Sequence, residues 1–356
     1  MMDPNAIDMM KVTELAMKWY DFVCFGIVGA ALVGAIYVIW RREGAGKWAE
    51  KTIYESLVMS GPDGNYGYAA GVTPRGHVNS TQLWSSCWRG LHPAWLLALR
   101  FASFLILLGF LSWDILDYGP SIYVYYTEWT FTLVIVYFAV GTIVSAHGCM
   151  VYYSRDPPRD YVQREEFPGR DVENSMSNSL LTFSAEQIRS NIKLQSHYDQ
   201  EAMQQRAGFW GYLMQISYQT SAGAVILTDI VFWCVIVPFL TNAHLQLNML
   251  MGCMHILNAV FLLLDTAVNS LPFPWFRLSY FVLWSCSYVI FQWVIHACGY
   301  SMWPYPFLEL SSSWAPLWYF CLAVVHLPCY GLFSMLVRAK KSIFSRLFPQ
   351  AFVESF

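Results

Sequence analysis

The chain has 356 residues, of which 56% are hydrophobic and only 13% charged. A soluble domain of this length carries roughly a quarter charged residues, so water is not the solvent that most of this chain meets. The formal charge of −3 says little as a sum; the placement of the charges says far more.

In chain order, residues 1–19 are expected to form an outer or lumenal tail. A first apolar run, Tyr20–Trp40, lacks a convincing small-residue cleavage site and reads as a retained signal-anchor helix. The connection 41–92 is expected to be a flexible cytosolic segment, Gly- and Pro-containing from Ser60 to Gly76. Its sequon, Asn79-Ser80-Thr81, should then stay unmodified. Residues 93–151 hold the second and third spans, Pro93–Trp113 and Glu128–Val151. A polar cytosolic connection, 152–208, follows. Residues 209–337 begin with an expected interfacial helix, Phe209–Tyr218, and continue with four spans: Gln219–Leu240, Gln246–Asn269, Trp275–Tyr300 and Trp314–Val337. The basic tail, 338–356, closes the chain. A span needs about 20 mostly apolar residues, and these seven runs meet that length. The predicted fold class is therefore an all-α, polytopic membrane bundle.

Lys and Arg alternate between the connections. They include Arg41, Arg42, Lys47 and Lys51 after the first span, Arg155 to Arg206 after the third, and Arg338, Lys340, Lys341 and Arg346 after the seventh. The connections Asp114–Thr127, Thr241–His244 and Ser301–Ser313 hold none. This pattern predicts an outer or lumenal N-terminus and a cytosolic C-terminus. The 16 Trp, 22 Tyr and 24 Phe, many near the ends of apolar runs, suit an interfacial belt. The nine cysteines form no C-x-x-C pair and read as small apolar residues rather than a disulfide framework or zinc site.

Ionisable groups at bilayer depth are costly, so each is a functional candidate as well as a structural one. Asp229 lies in the fourth span and His326 in the seventh, while Arg100 is near enough to the cytosolic end of the second to snorkel. In the fifth span, Asn248, His255, Asn258, Asp265 and Asn269 are spaced seven, three, seven and four apart, which puts them on one helical stripe. That stripe cannot face lipid. In the third span, Gly141 and Ser145 form a small-xxx-small pair that admits a neighbouring helix. Thr130 and Ser145 are expected to bond helix carbonyls or line a packing seam.

Met254-His255 in the fifth span and Trp303-Pro-Tyr-Pro-Phe-Leu-Glu309 after the sixth resemble the androgen-induced family of membrane proteins. Insect rolling stone proteins look like more distant relatives. Plant multi-pass proteins of unknown function look more similar still, through Tyr125 to Leu133 and Gly141 to Cys149. The resemblance spans about Pro93 to Val337. It implies an intramembrane hydrolase of fatty-acid esters of hydroxy fatty acids, with a Thr nucleophile carried to Thr127 and a His carried to His255. Two positions depart from the family: Gly119 to Tyr126 replaces its Gly-x-Trp run, and Ile256 replaces the Thr after its His. A hydroxyl needs an adjacent base, which neutral imidazole supplies. Asn258 or Glu128 could orient the ring or help stabilise an oxyanion. Trp303 to Glu309 reads as a lid or an interfacial anchor, the latter favoured for Trp303 and Tyr305.

Two other classes stay open. A transporter could use Asp229, His255, Asp265 and His326 as a polar pathway, and a scaffold would act through the cytosolic connections. A receptor fits less well, because His326-Leu-Pro-Cys-Tyr330 stands where Asn-Pro-x-x-Tyr would. No nucleotide-binding glycine fingerprint, metal-binding helix motif or nucleic-acid patch is present, so the expected partners are membrane lipids and a hydrophobic ester, with no cofactor. Residence in the secretory pathway, from endoplasmic reticulum to plasma membrane, completes the expectation.

Overall fold

The computed structural model describes residues 18–59, 80–154, 208–240 and 249–353. Among them, seven helices are long and apolar enough to cross a membrane: α1 (Trp19–Met59), α3 (Pro93–Tyr118), α4 (Tyr126–Ser154), α5 (Phe209–Val231), α6 (Met249–Val268), α7 (Leu278–Ala297) and α8 (Ala315–Leu347). A short helix, α2 (Ser80–Trp84), precedes α3. The protein is an all-α seven-helix bundle, and it crosses the membrane several times. Asn248, residues 60–79 of the first long connection and residues 155–207 of the second lie outside the described residues.

Local chemistry sets the helix ends. Pro93 occupies the first turn of α3, where its missing N–H costs nothing, and the His92 ring accepts a hydrogen bond from the Ala94 N–H at 3.2 Å. Gly119, at φ 74°, ends that helix in a conformation that favours glycine, and its N–H bonds the Ile115 carbonyl. Pro120 then opens a single 3-10 turn, Pro120–Val124, before α4 begins.

Three expectations about boundaries change. The first helix continues beyond Trp40 to Met59. Phe209–Tyr218 does not form a separate interfacial helix: α5 runs unbroken from Phe209 through the buried Gln215, Ser217 and Gln219. Gln219 is satisfied by the Pro272 carbonyl at 2.7 Å and by Arg277 at 3.2 Å, so this residue is paired inside the bundle. α5 then passes through a π-helical turn, Phe232–Ile236, into Val237–Leu240. Finally, residues 80–92 of the first connection are ordered. Ser86, Cys87 and Trp88 bond carbonyls of Ala267 and Val268 at the end of α6, and Arg89 and Cys87 bond the backbone of Ala351 and Val353 in the tail.

These contacts gather α2, the end of α6 and the C-terminal tail at one end of the bundle. Lys340 joins them, donating to the carbonyls of Thr266 and Asn269 at 2.6 Å each. A cation there satisfies the free carbonyls and the negative dipole end of α6. At the opposite end, Tyr20 at the start of α1 donates to the Ser311 carbonyl at 3.1 Å.

Lipid tails are as apolar as leucine, so helix association in the bilayer depends on packing and internal polar bonds. The largest such group centres on Arg100, which does not snorkel: it is fully buried, at 0% exposure. Its Nε lies 2.9 Å from Asp265 Oδ1, and its Nη1 donates to the Leu83 carbonyl at 2.9 Å and to Ser145 Oγ at 2.6 Å. Tyr137 and Asn269 complete the Asp265 carboxylate. The small residues of α4 therefore accommodate a guanidinium rather than a helix backbone. A Cβ on Gly141 would stand 3.2 Å from Arg100 Cδ, and one on Gly148 would overlap Trp84. Ser145 is a partner of Arg100, not merely part of a seam. Outward, Leu105, Leu116, Ile143 and Leu332 remain exposed for lipid to cover.

Removing one partner of a buried ion pair leaves an uncompensated charge, at a cost of about 3–5 kcal/mol. Asp265→Ala is expected to lower the thermal midpoint of the detergent-solubilised protein and its yield of monodisperse material. The double variant Arg100→Met/Asp265→Leu should regain most of that loss. An unchanged midpoint in Asp265→Ala would contradict a structural role for the pair.

Candidate functional site

The described residues of the α6 stripe are buried: His255, Asn258, Asp265 and Asn269 are all within 2% of full burial. They serve two separate groups. Asp265 and Asn269 belong to the Arg100 network, whereas His255, nearer the start of α6, turns to α5. Its Nδ1 lies 3.1 Å from Asp229 Oδ1, and its ring stacks on Phe232 with centroids 3.8 Å apart. Asp229, rather than Asn258, orients the imidazole. The Asn258 side-chain oxygen accepts from the Ala259 N–H at 2.6 Å. Its amide nitrogen has no partner among the described residues.

Thr127 stands elsewhere. α4 begins inside the bundle rather than at its rim, because Tyr288 and Gln292 of α7 both donate to the Val124 carbonyl at 2.7 Å. Thr127, in the first turn of α4, lines a narrow apolar recess, about 80 Å³ in cavity volume, between α4, α5, α7 and α8. The connection between α7 and α8 roofs it, with Tyr305, Phe307 and Leu308 turned inward. Tyr305 is therefore a buried wall rather than an interfacial anchor. Its hydroxyl accepts from the Tyr126 N–H at 3.2 Å, satisfying one of the free donors at the start of α4, and is also hydrogen-bonded to Thr127. Burial pushes the Tyr305 phenol up to about 12, so it stays protonated at neutral pH. Trp303 stacks on His296, centroids 3.6 Å apart.

No hydrogen bond joins Thr127 to His255 among the described residues. Phe232, the first residue of the π turn, lies on the recess wall and carries His255 stacked against it. His255 itself does not line the recess. Glu128 is buried beside Thr127, does not line the recess, and has one carboxylate oxygen without a partner among the described residues.

The histidine on the recess wall is His326. Its Nε2 lies 2.7 Å from Ser285 Oγ, which in turn lies 2.8 Å from the Tyr126 hydroxyl. Ser285 carries no distinguishing signal in the sequence, being one of several hydroxyls in α7. Tyr126 could be noticed only as the neighbour of Thr127. The four ionisable groups first read as a polar pathway thus fall into three groups: Asp265 with Arg100, Asp229 with His255, and His326 with Ser285. No hydrogen bond connects these groups among the described residues.

Comparison with protein-family models, with curated proteins and with solved structures finds no match for this chain. The fold itself defines the class: a multi-pass integral membrane protein with an apolar recess inside its helical bundle.

Because Tyr305 ties the roof to the start of α4, Tyr305→Phe should destabilise the protein by about 1–3 kcal/mol, the cost of leaving a buried N–H unpaired. Thermal unfolding in detergent measures this; an unchanged midpoint would show that the hydroxyl does not hold the roof.

Proposed function

We propose that this protein is an intramembrane hydrolase of hydrophobic esters that enter from the bilayer, resident in the secretory pathway. The observation that carries the reading is the recess: apolar walls of lipid-chain character, with a few convergent hydroxyls and one imidazole at their surface. Such a lining receives an acyl chain and excludes bulk water. The hydroxyls and imidazole are the types that nucleophilic acyl transfer requires.

The resemblance to the androgen-induced family assigns the chemistry to Thr127 and His255. Thr127 has the required access. His255 has an Asp229 carboxylate at Nδ1, as an oriented general base needs, but would reach the recess only after the Phe232 ring swings aside. A transporter reading draws less support, since the intramembrane carboxylates and imidazoles are paired off in separate groups.

Purified protein in lipid–detergent micelles is expected to release free acid from long-chain esters and to cleave short-chain esters poorly. Val289→Trp, which narrows the recess while replacing no hydroxyl or imidazole, should lower long-chain turnover at least tenfold while leaving the folded yield unchanged. Absence of acid release by folded wild-type protein, across esters of several chain lengths, would refute the hydrolase reading.

A further inference from the structure

The recess already contains a hydroxyl paired with a base, and neither group is Thr127 or His255. The hydrogen-bond directions around His326 can be worked out. Its Nδ1 lies 2.6 Å from the Leu322 carbonyl, one turn earlier in α8, and a carbonyl can only accept. Nδ1 therefore carries the proton, and in the neutral ring Nε2 is the acceptor. Ser285 Oγ, at 2.7 Å, must donate to Nε2. That uses the only proton of the serine, so the Tyr126 hydroxyl, at 2.8 Å, donates to Ser285 Oγ. The chain runs in one direction: Tyr126 to Ser285 to His326 to Leu322. A serine whose proton points at an imidazole, with that imidazole's second nitrogen fixed by another group, is the activated-nucleophile arrangement.

The surroundings fit the same role. A second apolar recess, about 320 Å³ in cavity volume, lies between α1, α7 and α8. The two recesses share four wall residues: Ser285, Val289, Leu322 and His326. A carbonyl seated beside Ser285 would thus have an apolar space on either side, one for each arm of an ester. Pro328, two residues after His326, lacks an N–H and so leaves the Val324 carbonyl without its usual helical partner, which interrupts the α8 ladder beside the pair.

We propose that Ser285 and His326 are the nucleophile and general base of the ester hydrolysis, a proposal that rests on the reading of the recess as an ester-binding site. In the first half-reaction, Ser285 Oγ bonds to the ester carbonyl carbon while its proton passes to His326 Nε2. The carbonyl oxygen takes the negative charge, and the Tyr126 hydroxyl, released as Ser285 Oγ becomes an ester oxygen, turns to donate to it. The intermediate then collapses: the carbon–alkoxy bond breaks, and the Nε2 proton goes to the leaving alkoxide. In the second, water gives a proton to Nε2 and attacks the acyl carbon. The bond to Oγ breaks, the proton returns to Ser285, and a free acid leaves. The Leu322 carbonyl holds Nδ1–H throughout. It stabilises the imidazolium less than a carboxylate would, so turnover is expected to be slow.

The test is to treat the full-length, detergent-purified protein with an alkyl fluorophosphonate and locate the adduct by mass spectrometry of its peptides. The expected adduct is on Ser285. Labelling should fall at least tenfold in Ser285→Ala and in His326→Gln. Mapping on the wild type needs no variant to fold. An adduct on Thr127, or on any residue other than Ser285, overturns the pair; if turnover persists, the hydrolase reading survives. No adduct together with no acid release from folded protein overturns both.

Discussion

The bundle depends on one buried charge. Arg100 sits on α3 among residues that offer no water, and its guanidinium is tolerable only because Asp265 on α6 neutralises it. Leu83 of α2 supplies a carbonyl and Ser145 on α4 a hydroxyl, while Tyr137 completes the carboxylate. Four helices therefore meet at one ionic point near the end where Lys340, Cys87 and the C-terminal tail also gather. In a solvent that gives apolar side chains no reason to leave it, this concentration of polar bonds fixes the mutual register of α3, α4 and α6.

The opposite end is built differently. There α4 starts deep, held by Tyr288 and Gln292 through the Val124 carbonyl and by Tyr305 through the Tyr126 N–H. Lowering the start of that helix makes space above α5, α7 and α8, and the connection after α7 covers it with Tyr305, Phe307 and Leu308. Structural stability at one end and a lined recess at the other are two consequences of the same placement of α4.

Much of this is legible in the sequence, for identifiable reasons. Apolar runs of span length reveal the seven helices because the bilayer imposes that length, and the α6 stripe reveals its buried face because lipid cannot solvate it. Hydropathy fails where polar residues pair inside. Gln215 and Gln219 look like the edge of a span, yet they lie within α5 because Pro272 and Arg277 satisfy Gln219 and the helix backbone continues. The same applies to Arg100, whose partner is 165 positions away. It reads as a snorkelling residue until the chain is folded. His255 and Asp229 are each legible as candidates, but their pairing and the intervening Phe232 are not, since two helices must first come together. Ser285 was invisible for a related reason: nothing in α7 marks one hydroxyl among several until His326 arrives beside it.

On the proposed reading, the recess rather than the outer lipid-facing surface holds an apolar chain. Photo-crosslinking with a diazirine-bearing long-chain fatty-acid ester in liposomes tests it most directly, with the attachment sites mapped by mass spectrometry. The account predicts attachment at recess residues such as Val289, Phe307 and Leu322, suppressed by excess unmodified ester. Attachment confined to outward residues such as Leu105, Leu116 and Leu332, insensitive to competitor, would contradict it.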